Sequence, residues 1–348
     1  MKVCVTGHRG YVGALLVPLL RRRGHRVLGV DSGLFDGCAL PGAVPEGPDR
    51  DLRRDIRDLG ADDLAGLDAV VHLAGLSNDP LGDLDPALTD EINGRAAAAL
   101  AASARKAGVR RFVFASTCSV YGAGGEGTVD EETPPRPLTP YAAAKASAEA
   151  AMRALAGDGF SPVLLRFATA YGVSPMLRFD LVANNLVAHA TATGRVLLKS
   201  TGRQWRPLIH VADMAEAIAV ALEAPRDAVH GATVNVGDDD ANLRIADLAD
   251  AVAAAIPGAC VELAPGAAPD RRSYRVSFAR LGRVLPAFRP RWTVARGVAD
   301  LHRAVVALGL PVADFEGARF NRLPHLLQLR AAGRVAADLR PRAVARPA

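Results

Sequence analysis

Short apolar runs alternate with longer segments whose apolar positions recur every three or four residues. The runs Val3–Thr6, Val27–Val30, Ala69–Leu73, Phe112–Ala115 and Val163–Phe167 are too short for helices. Their near-continuous apolar character predicts strands covered on both faces. Between them, Val12–Arg23, Glu91–Ala107 and Tyr141–Leu155 carry the helical period. Strand and helix in alternation predict an α/β fold, a parallel sheet with helices on both sides. Beyond Phe167 the pattern loosens. Helices are expected at Leu181–Ala192, Ala212–Glu223, Ile245–Ala255 and Val294–Leu308, with Pro- and Gly-rich pieces such as 264–270 between some of them. This part reads as a smaller region built onto the sheet. No internal repeat is visible.

The 348 residues suffice for one large domain or two coupled ones. No run of apolar residues is long enough to span a membrane. The first strand-like run begins so near the start that no signal peptide is expected. The cysteines Cys4, Cys38, Cys118 and Cys260 are scattered without a CxxC pair. Neither a disulfide framework nor a metal site is expected, and a reducing cytoplasm fits this usage. The net charge is +5, carried almost wholly by arginine. Those arginines form no stripe with interleaved aromatics, so nucleic acid is not expected as a partner. Several fall in the last residues, from Gly333 on, which read as a partly disordered tail.

Two stretches carry the first chemical signal. TGHRGYVG, Thr6–Gly13, sits where the first strand meets the first helix. Gly7, Gly10 and Gly13 there allow a tight turn, a close backbone approach to a pyrophosphate, and close helix–strand packing. The helix N-terminus favours the negative charge. Asp31 ends the second strand, where a carboxylate accepts both hydroxyls of an adenosine ribose and repels a 2′-phosphate. That favours NAD over NADP. Arg9, in the same loop, argues the other way, since it can meet a 2′-phosphate. The alternative for the loop is a ligand-free turn, and for Asp31 a strand-end turn residue.

The second signal is catalytic. Tyr141 and Lys145 are four apart and share a helix face. An ammonium beside a phenol favours phenolate, so this tyrosine can exchange a proton near neutral pH. A hydroxyl from Ser116 or Thr117, at the end of the strand 112–115, can hold the reacting oxygen. An exposed helix face is the plain alternative for YxxxK. The order of glycine loop, strand-end acid, hydroxyl-rich strand end and YxxxK makes the set specific.

By these residues the chain resembles the extended short-chain dehydrogenase/reductases, in their nucleotide-sugar epimerase and dehydratase group. The resemblance runs from Met1 to about Ala307. It includes Asp55–Ile56, His72–Gly75, Asn93, Thr139–Lys145 and Trp205–Asp213. It implies a doubly wound Rossmann domain with a smaller substrate-binding region. It implies Thr117, Tyr141 and Lys145 as catalytic residues. Gly7, His8, Arg9, Gly10, Tyr11 and Val12 would hold NAD, with Asp31, Asp55, Ile56, Leu73, Ala74, Gly75, Asn93, Ser116 and Phe167. The expected substrate contacts are Ser77, Thr117, Cys118, Thr169, Asn185, Arg206, Arg271 and Arg272. Residues 1–170 would carry NAD and the catalytic groups, 171–309 mainly the substrate, and 310–348 form a subgroup-specific tail.

Within the group, dehydratases place an Asp-Glu pair after the catalytic threonine, where this chain has Cys118 and Ser119. A small pair there is similar to UDP-galactose 4-epimerase-like members, which oxidise a sugar carbon and return the hydride to the other face. The chain departs from these at Thr169 and Val173, and alanines precede Asp270 where an arginine is usual. A GHRG turn also resembles the GDP-fucose synthase-like reductases, so an NAD(P)H-dependent 4-ketoreductase is the runner-up. A reductase or dehydrogenase acting on something other than a nucleotide sugar is a third reading, and a non-catalytic NAD-binding scaffold a fourth. The resemblance also implies a homodimer, formed through the Tyr141 helix and the helix at 91–107. Cys118 is expected to fill space in the core, His72 and His210 to be structural, and His8 to face solvent.

Overall fold

The protein is described from a computed structural model, which covers residues 1–43, 46–124 and 127–342. Its centre is a seven-stranded parallel sheet. The strands are β1 (Lys2–Thr6), β2 (Arg26–Asp31), β3 (Arg50–Arg53), β4 (Ala69–His72), β5 (Arg111–Thr117), β6 (Ser161–Phe167) and β7 (Thr233–Val236). They lie in the order β7-β6-β5-β4-β1-β2-β3. The order reverses between β1 and β4, and a doubly wound sheet opens its binding crevice at such a point. The expected strands all appear. β3 does not announce itself, because Arg50-Asp-Leu-Arg53 is an exposed, charged edge. Charge on an edge strand blocks pairing with another chain.

The helices α1 (Gly13–Arg22), α2 (Ala97–Lys106), α3 (Pro140–Ala154), α4 (Val182–Thr193), α5 (Val211–Glu223), α6 (Ile245–Ala255), α7 (Val294–Leu308) and α8 (Arg322–Ala331) complete the frame. Leu16, Val17 and Leu20 of α1 meet Ile218 and Leu222 of α5 on one face of the sheet. Leu100, Ala101 and Ala104 of α2 and Ala148 and Met152 of α3 cover the other. The residues before α2, Asp90–Ala96, are wound as a π-helix, a local widening common at functional sites.

A third core lies under α4, α6 and α7, with Val187, Leu248 and Leu301 fully buried. Small sheets close this region: Thr169–Tyr171 beside Trp205–His210, and Arg195–Ser200 beside Cys260–Ala268. No helix among the described residues is long and apolar enough to cross a membrane.

The described residues beyond Leu308 are anchored on the core. Phe315 and Phe320 are fully buried and pack edge-on against Phe179. Leu326, Val335 and Leu339 join the core of the first region, in the cluster that holds Ile56. Single apolar anchors spaced four to nine residues apart produce no helical or strand period, so the pattern concealed them. Residues 343–348, the very end of the expected disordered stretch, lie outside the described residues.

Candidate active site

A single cleft of about 820 Å³ runs from the C-terminal ends of β1, β2 and β4, past β5, to the small sheets of the second region. Its first half is shaped to hold a dinucleotide. Gly7 adopts φ +73, and a Cβ there would stand 2.7 Å from the backbone nitrogen of Ala74. A Cβ on Gly13 would lie 2.6 Å from the Cα of His8. The two loops therefore close together only with glycine at both places. No side chain caps the start of α1 and no acid stands in its first turn, so its positive end is left for an anion.

Asp31 lines this half. Its carboxylate accepts from the backbone nitrogens of Gly33 at 2.8 Å and Arg9 at 3.2 Å. Burial pushes its acid upward against those bonds. Gly10, Tyr11, Val12, Asp55, Ile56, Leu73, Ala74 and Gly75 share the lining.

His8, Arg9 and Asn93 do not. The His8 ring is buried rather than solvent-facing, with Nε2 3.3 Å from Asp51. Arg9 turns away onto Asp36 and Asp51, at 3.0 and 2.5 Å. Its charge is spent on two carboxylates, which removes the argument for a 2′-phosphate. Asn93 braces the Gly75 loop from behind, exchanging 2.8 Å bonds with both backbone groups of Leu76.

The middle of the cleft holds Thr117, Tyr141 and Lys145. Thr117 ends β5, and its hydroxyl oxygen accepts from the Ser119 nitrogen at 3.1 Å, leaving its O–H free to donate. Thr139 caps α3 and Pro140 opens it, which fixes Tyr141 in the first turn facing Thr117. Lys145, one turn on, is buried and donates to the Ala115 carbonyl at 2.9 Å while lying over the Phe114 ring.

Burial lowers the Lys145 ammonium to about 8, with Glu149 opposing. Tyr141 is pushed above the ordinary phenol range, by burial first and then by the Asp79 carboxylate; Thr117 and Arg178 oppose. Of the nearby cations, Arg178 is the one that opposes this rise. Ser116 is settled as well. It lines the cleft, but its hydroxyl donates to the buried Glu149 at 2.6 Å, which Arg166 holds at 2.7 Å. Phe167 closes the wall at the end of β6.

The far half is built from charged side chains. Arg178 is buried, bonded to Ser77 Oγ at 2.7 Å and to both oxygens of Asp180 at 2.8 and 2.9 Å. Burial works against the Asp180 carboxylate, and the charge of Arg178 overcomes it, holding the acid below its usual range. Arg206 faces the cleft over the Tyr274 ring, with Nη2 3.0 Å from Asp270. Asp270 also takes Arg272 at 2.7 Å, and Arg272 reaches on to Asp79. Ser77, Thr169 and Asn185 share this wall.

Arg271 does not line the cleft; it lines a neighbouring hollow beside Lys199. Cys118 is buried, its Sγ donating to the Arg166 carbonyl at 3.2 Å, so it fills the core and touches no cleft. Asp79 and Arg178 were not foreseen as site residues. The only trace of them was Asp79 in the polar piece Ser77–Asp79 and Arg178 within the apolar stretch Met176–Val182. His72 and His210 are structural: His72 bonds Thr6 at 2.7 Å, and His210 accepts from the Ala212 nitrogen at the start of α5. Among the described residues no group of His, Cys, Asp or Glu is placed to hold a metal.

Comparison with known proteins agrees with this geometry. The profile of the NAD dependent epimerase/dehydratase family matches residues 3–237. The chain is 31% identical over 252 residues to an uncharacterized UDP-glucose epimerase, YtcB, of Bacillus subtilis (strain 168), covering 68% of this chain and 77% of that one. It is 32% identical to a dTDP-glucose 4,6-dehydratase of Streptomyces niveus, over 64% of this chain and 69% of the other. Among solved structures, MoeE5 in complex with UDP-glucose and NAD superposes with a TM-score of 0.75 at 30% identity, over 88% of this chain and 99% of that one. The chain is accordingly a member of the NAD dependent epimerase/dehydratase family, an NAD-dependent enzyme of the extended short-chain dehydrogenase/reductase type.

Proposed function

We propose that the protein epimerises a nucleotide-diphosphate sugar at C4 by oxidising that carbon and reducing it again from the other face. One observation carries this reading: Thr117, Tyr141 and Lys145 stand in the same cleft as the glycine loop, and the positions after Thr117 hold the small residues Cys118 and Ser119 rather than carboxylates. Bound NAD supplies the acceptor of the hydride and then its donor. Tyr141 takes the proton of the sugar hydroxyl as the carbon is oxidised and gives it back on reduction. The free O–H of Thr117 donates to that oxygen and fixes it beside Tyr141. Arg178 favours the phenolate that the first step needs. Arg206 and Arg272 are the cations for the diphosphate, where a planar guanidinium makes bidentate bonds.

In this reading residues 1–170 hold the cofactor and the chemistry, and 171–309 mainly the sugar nucleotide. The protein is a cytoplasmic homodimer. The small exposed residues Ala99 and Ala102 of α2 and Ala143, Ser147 and Ala150 of α3 offer the close-packing faces such a dimer needs. The 4-ketoreductase reading is weaker, because Arg9 is bound to two carboxylates and leaves Asp31 to set the cofactor preference.

The test is to supply UDP-glucose and dTDP-glucose without added cofactor and to follow the sugar by NMR. Interconversion of the C4 epimers, lost in Tyr141→Phe, supports the proposal. Turnover of 4-keto sugars only, and only with added NADPH, would overturn it.

A further inference from the structure

The chain beyond α7 has no part in the chemistry above, yet it returns to the cofactor half of the cleft. It first crosses the substrate side. There Arg322, buried, donates through its backbone nitrogen to Asp180 at 3.4 Å and through Nη2 to the Met176 carbonyl at 3.2 Å. Its guanidinium lies over the Phe35 ring, and His325 stacks at an angle on the same ring. After α8 the chain turns back on itself, Val335 pairing antiparallel with Pro341.

At the tip of that turn stands Leu339. It lines the same cleft as Asp31, Phe35, Asp55 and Ile56, the end at which Asp31 would take an adenosine ribose. It is buried, and it is the one non-glycine residue with positive φ (64°) among the described residues. A leucine held there costs free energy that its surroundings must offset. The surroundings are specific. Arg57, tied to Asp55, donates to the Asp338 carbonyl at 2.9 Å, and Arg340 reaches Asp58. The tail thus bonds directly to the Asp55–Asp58 segment.

We propose that this C-terminal turn is a wall of the NAD site: Leu339 closes the adenine end, the Arg57–Asp338 and Arg340–Asp58 bonds latch it, and NAD stays bound through many turnovers. For the dinucleotide to leave at its adenine end, the latch must open and Leu339 and Val335 must enter water. A resident NAD suits a reaction that returns its hydride within each cycle. That last consequence rests on the epimerase reading; the role of the tail does not.

The experiment uses the full-length protein without any sugar. NAD released on denaturation is quantified, and the rate of NAD release is followed after mixing with a trap. Leu339→Gly removes the wall while suiting the backbone angle, and Arg340→Ala removes one latch while leaving the core intact. The wild-type chain is expected to purify with close to one NAD per chain, and each variant to release NAD at least about tenfold faster, the equivalent of one decade in affinity. Thermal unfolding of the NAD-stripped proteins separates a merely structural role. Release unchanged in both variants, with only the unfolding temperature lowered, overturns the proposal. A wild-type protein that purifies empty and exchanges NAD freely overturns it too.

Discussion

The two halves of the cleft are made of different material. The cofactor half is largely backbone: glycines that let two loops touch, the uncapped start of α1, and the Asp31 carboxylate, itself fixed by backbone amides. The substrate half is a relay of side chains from distant places, Asp79–Arg272–Asp270–Arg206 and Ser77–Arg178–Asp180. A site of backbone groups admits few alternatives and stays the same whatever the sugar. A site of paired side chains can be re-specified by single substitutions. Tyr141 lies on the seam, its proton affinity raised by burial first and then by Asp79, with Thr117 and Arg178 opposing.

This contrast can be tested by damage to each side. The largest effect is expected at the seam. Tyr141→Phe should lower kcat by about 10²–10⁴, the usual worth of a positioned acid–base group, while the purified protein still carries NAD. Retained activity would point to another proton-transfer group.

On the backbone side, Gly7→Ala forces a methyl against the Ala74 backbone at a positive φ. NAD affinity should fall by at least about tenfold, given about 1–2 kcal/mol for the backbone angle alone. Titration calorimetry on the stripped protein reads it. On the relay side, Arg206→Ala should raise KM for the nucleotide sugar with the NAD content unchanged. Loss of a charged hydrogen bond is worth about 1.5–3 kcal/mol, or roughly 10- to 150-fold. An unchanged KM would remove Arg206 from the diphosphate site.

A further test concerns the frame that both halves share. Burial lowers His72 to about 3 and His210 to about 4. Both are neutral when folded and titrate near 6.5 when unfolded. Below that value the unfolded chain takes up the protons first. Stability should therefore fall as pH drops from about 6.5 toward 4, by at most about 1.4 kcal/mol per pH unit for each ring. Urea denaturation at pH 7.5, 6 and 5 reads the slope, and His72→Gln should flatten it.

The same contrast explains what the sequence could reveal. The parallel sheet was legible because its strands are continuous apolar runs, and the glycine loop because its meaning depends on contiguous residues. Tyr141 and Lys145 were legible because a helix puts them one turn apart. Spacing alone cannot tell on which side of a loop a side chain emerges. His8 and Arg9 turn to Asp51 and Asp36, Asn93 supports the loop it was expected to line, and Arg271 leaves the cleft while Arg272 faces it. Nor does spacing choose between neighbouring hydroxyls: Glu149, far along α3, draws Ser116 away and leaves Thr117. Asp79 and Arg178 meet Tyr141 only through tertiary folding. The tail's seat on the core was not legible, because its anchors, Phe315, Phe320, Leu326 and Leu339, follow no period.

The most direct test of the central claim follows one hydrogen. The enzyme, with no added cofactor, is given UDP-glucose deuterated at C4, and the product is read by NMR and mass spectrometry. The account predicts the C4 epimer with deuterium still at C4 and no exchange with solvent. Deuterium appearing at another carbon with loss of water, or no turnover until a reduced cofactor is added, would contradict it.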